Sequence, residues 1–229
     1  MIKKYNQYLK EELVFRNPFK KRIKNYPEID PNDVDPYGEE DWDDDELTPV
    51  LRIAKQRGIP YDQITTLDCS GKDLTSLEGI EKLINLKKLY CPRNNLTSLK
   101  GIENLVNLKK IWCYTNNLTS LEGIENLSNL KELACYGNSL TNLKEIEHLS
   151  NLEFLFCQNN NLTSLNEIGN LINLKTLSCS DNNLTSLEGI ENLRNFRYLY
   201  LYCQNNNFLD EYKQYLIEYC KNKKIILEI

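Results

Sequence analysis

The sequence has no run of the about 18 apolar residues that a membrane-spanning helix requires, which excludes a helical membrane protein. Its opening stretch, MIKKYNQYLKEELVF, lacks an apolar h-region and a small-residue cleavage site, so no secretory signal is read there. It has one histidine, His148, too few for a His-rich zinc site. HExxH, GxSxG and a phosphate-binding glycine loop are all absent from its 229 residues. These absences point away from the commonest hydrolases and nucleotide-binding enzymes. The chain is therefore read as non-catalytic and free of metal and cofactor.

Charge is unevenly placed. Residues 1–27 carry eight Lys/Arg and two acids, and residues 28–46 carry eleven acids and no base. The remaining residues hold 20 of each sign, so the net charge of −5 comes wholly from the first 46. A basic segment followed by an acidic one predicts an arm distinct from the body. Net negative charge also speaks against a general nucleic-acid binder. Residues 1–27 are read as carrying a short amphipathic helix (Tyr5, Leu9, Leu13) and residues 28–46 as a flexible linker.

Eight cysteines are too sparse for a disulfide scaffold, and their spacing is the informative part. Cys69, Cys91, Cys113, Cys135, Cys157 and Cys179 recur every 22 residues, Cys203 follows after 24, and Cys220 stands outside the series. The repeat is plain in LKKLYCPRNNLTSLKGIENLVN, residues 86–107, and generalises to LxxLxCxxNxLTSLxxIxxLxN. Seven units align, starting at Ile64, Leu86, Leu108, Leu130, Leu152, Leu174 and Tyr198, the last with a two-residue insertion at Phe196-Arg197. The first is irregular, with Lys72 where the others have Asn, as terminal repeats often are.

This pattern resembles the leucine-rich repeat family, specifically its short 22-residue class. That class occurs in internalins and in the repeat-containing regulatory subunit of type-1 protein phosphatase. The resemblance covers roughly residues 64–208. Cys stands where the family usually has Leu at the second strand position. A looser resemblance is to uncharacterised repeat proteins of giant amoebal DNA viruses. The family likeness implies an α/β repeat solenoid: a right-handed coil with a parallel concave sheet, presenting that face to a protein partner.

The residues support the same architecture by themselves. In LxCxx, alternation puts Leu and Cys on one face and the intervening residues on the other. A single such strand cannot bury its face, but stacked copies form a parallel sheet with neighbouring strands about 4.8 Å apart. The Asn column (Asn94, Asn116, Asn138, Asn160, Asn182, Asn206) falls where the chain leaves the strand and is expected to be fully hydrogen-bonded. An open solenoid must cover both ends. Thr48-Pro49 before VLRIAKQR and Gly58 predicts an N-terminal helix over 48–57. Tyr212, Tyr215, Leu216 and Tyr219 at helical spacing, followed by KIILEI, predict a C-terminal helix and a last strand. The organisation is then a charged arm and linker (1–46), an N-terminal cap (47–63), seven repeats (64–208) and a C-terminal cap (209–229).

The aligned cysteines are expected to be small buried apolar residues, since ladder neighbours sit too far apart for relaxed disulfides. Buried free thiols imply a reducing, cytoplasmic location. His148 shares a polar column with Lys82, Asn104, Asn126, Asn170 and Asn192 and is read as a surface residue. Glu81, Glu103, Glu125, Glu147 and Glu191 form another repeating column, read as a solvated outer face. Five glycosylation sequons, at Asn95, Asn117, Asn126, Asn161 and Asn183, are by-products of the repeat.

The varying positions carry the functional expectation. Three outward columns bring together Tyr90, Trp112, Tyr114, Tyr136, Phe154 and Phe156 over the middle repeats, bordered by Lys88, Lys110 and Arg93. Such a patch is not needed for solubility, and contiguous exposed aromatics mark contact surfaces. The competing readings are that the rings merely pack on one another along the sheet, and that the acidic linker folds over the basic border and occupies the face itself. A monomeric module binding a protein is expected, and the Lys/Arg border favours an acidic one. Single-stranded nucleic acid stacked on the rings is the alternative, and the chain's negative charge disfavours it.

Overall fold

The computed structural model describes residues 47–193 and 199–229. The readings made for residues 1–46, and the insertion at Phe196-Arg197, lie outside the described residues. Each repeat contributes one three-residue strand: β1 Thr66–Asp68, β2 Lys88–Tyr90, β3 Lys110–Trp112, β4 Glu132–Ala134, β5 Phe154–Phe156, β6 Thr176–Ser178 and β7 Tyr200–Tyr202. With β8, Ile226–Glu228, they form one eight-stranded sheet, wholly parallel and in sequence order. The register places Leu89 against Ile111 and Tyr90 against Trp112, so the 22-residue period of the sequence is the period of the ladder. This is the concave parallel sheet of a repeat solenoid.

The period fixes the core. In the second coil Leu86, Leu89, Cys91, Leu96, Leu99, Ile102 and Leu105 are all buried, and the first and the third to sixth coils repeat the set. Each fully buried aliphatic side chain contributes roughly 1.5–3 kcal/mol. All eight cysteines are free and buried. Some of their thiols also bridge coils: Sγ of Cys69 donates to the Tyr90 carbonyl at 3.3 Å and Sγ of Cys157 to that of Ser178 at 3.4 Å. Leu199 is fully buried one position later than the leucines that open the other units, as the pairing of Tyr200 with Thr176 shows.

The asparagine column does what backbone satisfaction demands. Oδ1 of Asn116 accepts from the Leu96 amide at 3.0 Å, while its Nδ2 donates to the Cys91 and Cys113 carbonyls at 3.0 Å each. Asn94, Asn138, Asn160, Asn182 and Asn206 repeat the arrangement. One amide thus ties the turn of its own coil to the turn before it.

The return path contains no α-helix within any described repeat. Short 3-10 turns occur at Ile80–Lys82, Lys144–Ile146, Asn166–Asn170 and Ile190–Asn192. Here the glutamate column differs from a merely solvated face. Glu81, Glu103, Glu125 and Glu191 each accept the amide N–H of the glycine two residues before, at 2.9–3.0 Å. These carboxylates hold the glycine turns in place. The glycine is obligatory at Gly79, where φ is +93° and an added Cβ would lie 2.8 Å from Cγ of Leu51 in the N-terminal cap.

Both ends are covered. Helix α1, Pro49–Lys55, starts on Thr48, whose side chain accepts the Leu51 amide, and buries Val50, Leu51 and Ala54. Helix α2, Asp210–Lys223, buries Leu216 and Cys220 against the last coil. The phenol oxygen of Tyr212 accepts the Leu187 amide at 2.7 Å, fastening α2 to the sixth coil. Tyr215, expected on the inner stripe, is 47% exposed because the buried stripe runs through Leu216 and Cys220, four residues apart. No helix among the described residues is long and apolar enough to cross a membrane.

Candidate functional site

The outward positions of β2 to β5, and the residues just after them, form the middle of the concave face. Strand alternation sends Leu89, Ile111, Leu133 and Leu155 inward and leaves their neighbours on the open side. Four of the expected aromatics meet there in one row. Tyr90 and Trp112 have ring centroids 4.7 Å apart, Trp112 and Tyr114 6.4 Å, and Tyr114 and Tyr136 4.4 Å in a nearly parallel stack. The row therefore crosses three coils without a break.

Around it the charges are organised by the same 22-residue register. The indole N–H of Trp112 donates to Oε1 of Glu132 at 2.7 Å, and Nζ of Lys110 lies 2.7 Å from Oε2 of the same carboxylate. Lys110 also sits 5.0 Å above the Trp112 ring, a cation–π distance. Burial pushes the Tyr90 phenol above its ordinary pKa, and the Glu132 and Asp68 carboxylates add to the shift. Further along, Glu153 bridges Lys131 at 2.9 Å and Lys175. These two lysines, Lys175 first, hold the Glu153 carboxyl below its ordinary range.

The other expected site residues fall as follows. Phe154 and Phe156 are on β5, the coil after the row; Lys88 is exposed at the start of β2, and Arg93 is exposed on the turn after it at φ +56°. The face is less open than the outward columns suggest. Tyr114 and Glu132 are each 9% exposed and Phe156 only 5%, while the small Ala134 and Ser178 beside Phe156 are buried. Neighbouring coils stand about 4.8 Å apart, so a large ring overlays its smaller neighbours. Tyr114 lies flat against Tyr136 for the same reason. The aromatics thus pack on one another and also remain on the open side of the sheet.

Sequence reasoning missed Glu132, the residue that organises Trp112 and Lys110. Its signal was available: Glu132 follows Lys110 by one repeat length. No group of three His, Cys, Asp or Glu among the described residues could hold a metal ion. Burial raises the cysteine thiols far above the usual range, to about 12 for Cys113, so they stay protonated and unreactive at neutral pH.

A family model for leucine-rich repeats in two copies matches residues 84–128 and 172–214. These two stretches of the chain match leucine-rich repeats. Solved leucine-rich-repeat structures resemble the chain at the level of fold and sequence together. An internalin of Listeria monocytogenes matches with a TM-score of 0.51 and 25% identity, over 66% of this chain and 50% of that one. A leucine-rich-repeat protein of Leptospira interrogans matches with a TM-score of 0.58 and 35% identity, over 65% of this chain and 38% of that one. Internalin C2 of Listeria monocytogenes matches with a TM-score of 0.50 and 26% identity, over 66% of this chain and 75% of that one. The chain thus spans half the length of the first of these and less than two fifths of the second. Comparison with curated proteins gives no match.

Proposed function

We propose that this leucine-rich-repeat chain is a non-catalytic, intracellular module, monomeric by itself, that binds a protein partner on the concave face. The observation that carries the proposal is the unbroken aromatic row from Tyr90 to Tyr136 on the open side of the sheet. Tyr and Trp dominate binding energy at protein interfaces, and a strand-borne row costs little ordering on association. Tyr90, Trp112, Tyr114, Tyr136, Phe154 and Phe156 supply the apolar contact, with Lys88, Lys110 and Arg93 at its border. The self-packing of the rings favours a protein over single-stranded nucleic acid. Rings stacked at 4.4 Å have no gap between them for a base.

The test is capture of partners from the native cell extract by wild type and by Trp112→Ser/Tyr114→Ser. The double variant is expected to lose them. Glu103 and Glu125 are unsuitable controls because they hold glycine turns. Lys100→Gln with Glu122→Gln, both exposed on the return path, should capture as wild type does. Unchanged capture by the double variant would move the binding surface away from this face.

A further inference from the structure

One column of the concave border reads Thr65, Lys87, Lys109, Lys131, Glu153 and Lys175. Its members are stacked by the backbone: Lys109 N–H donates to the Lys87 carbonyl at 2.8 Å and Lys131 N–H to that of Lys109 at 2.9 Å. Like charges stacked at ladder spacing repel. In the later coils the chain relieves this repulsion itself, because Glu153 lies between Lys131 and Lys175 and binds both. In the adjacent column Glu132 does the same for Lys110. The second and third coils differ. Lys87, Lys88 and Lys109 are all exposed, and none has an ion pair among the described residues. This uncompensated corner adjoins the Tyr90–Trp112 end of the aromatic row.

We propose that the corner formed by Lys87, Lys88 and Lys109 receives an acidic polypeptide segment whose apolar or aromatic side chains lie on Tyr90 and Trp112. The proposal rests on the concave face being the binding face and adds the chemistry of the partner. The missing counter-charge is local: two or three carboxylates supply to these lysines what Glu153 supplies to Lys131 and Lys175. A phosphodiester strand fits less well. Followed along the coils, its continuous charge would run past Asp68, Glu132 and Glu153, whereas a polypeptide can place acids at the corner and apolar groups elsewhere.

The test uses the full chain and synthetic fluorescent peptides in an anisotropy titration. One peptide carries two glutamates beside a tryptophan, a second has glutamines in their place, a third has lysines, and oligothymidylate is the polyanion control. The glutamate peptide is expected to bind roughly three- to tenfold tighter than the glutamine peptide at low salt, the difference shrinking as salt rises. Lys87→Glu/Lys109→Glu, at exposed positions, is expected to reverse the order and favour the lysine peptide. Equal binding of the glutamate and glutamine peptides overturns the proposal, as does tighter binding of oligothymidylate. If peptides bind with no charge preference and Trp112→Ser/Tyr114→Ser abolishes that binding, the acidic corner fails while the concave face stands. If neither variant changes binding, both fail.

Discussion

The indole N–H of Trp112 and the carboxylate of Glu132 meet at 2.7 Å across two adjacent coils. That carboxylate also holds Lys110, so a single acid sets the orientation of the central ring and keeps a cation over it. Glu132→Ala is expected to weaken partner capture although it removes no aromatic group. Glu132→Gln, which can still accept from the indole, should retain more of it. Capture by the two variants, read beside their Trp112 fluorescence in a Trp42→Phe background, checks the order.

A second expectation concerns the asparagine column. Removing the Asn116 side chain leaves the Leu96 amide without its partner in the interior of the turn, while the Cys91 and Cys113 carbonyls keep the bonds they accept from Nδ2 of Asn94 and Asn138. A buried unsatisfied group costs about 1–3 kcal/mol, so Asn116→Ala should destabilise the fold by about that much. Denaturant unfolding of Asn116→Ala beside Lys100→Gln measures it. A loss under about 1 kcal/mol would mean that water replaces the amide.

How much of this could be read from the sequence varies with the physics involved. The sheet, its register and the inward Leu and Cys follow from the 22-residue period, because one period is one rung. The caps were legible from Thr48-Pro49 and from the spacing of the α2 stripe. The role of Glu81, Glu103, Glu125 and Glu191 was not, because a repeated surface acid looks the same whether it is solvated or holds a glycine amide. The closed state of Tyr114 was also hidden, since ring stacking depends on side-chain rotamers that a period does not encode. The pairing of Lys110 with Glu132 was hidden only in part: their separation is one repeat, which already makes them ladder neighbours.

The cysteines give a prediction about alkali. Burial raises Cys69 from the ordinary 9.0 to about 12, and Cys113 and Cys203 likewise. A thiol whose folded pKa is raised contributes stability that is complete below the unfolded value and is lost as pH climbs toward the folded one. Stability should therefore fall between about pH 9 and 12. At neutral pH, thiol labelling should be slow for all eight in the native state and complete after denaturation. Fast native labelling of Cys113 or Cys135 would reverse the assignment of the inner face.

Glu153 gives the opposite sign. Its carboxyl is held below the ordinary 4.5 by Lys175 and Lys131. A depressed acid contributes stability above its unfolded pKa and loses it as pH falls through the folded value. Glu153→Gln should be less stable than wild type at neutral pH, by a small margin for so exposed a pair of bridges. The two melting curves should converge in acid below the carboxylate range. A difference that persists there would assign the effect to packing.

The most direct test of the central claim is hydroxyl-radical footprinting of the captured complex against the free chain. Trp112, Tyr90 and Tyr136 should be protected in the complex, while Tyr215, exposed on the outer side of α2, keeps its reactivity. Protection of Tyr215 with no change at Trp112 would contradict a concave binding face.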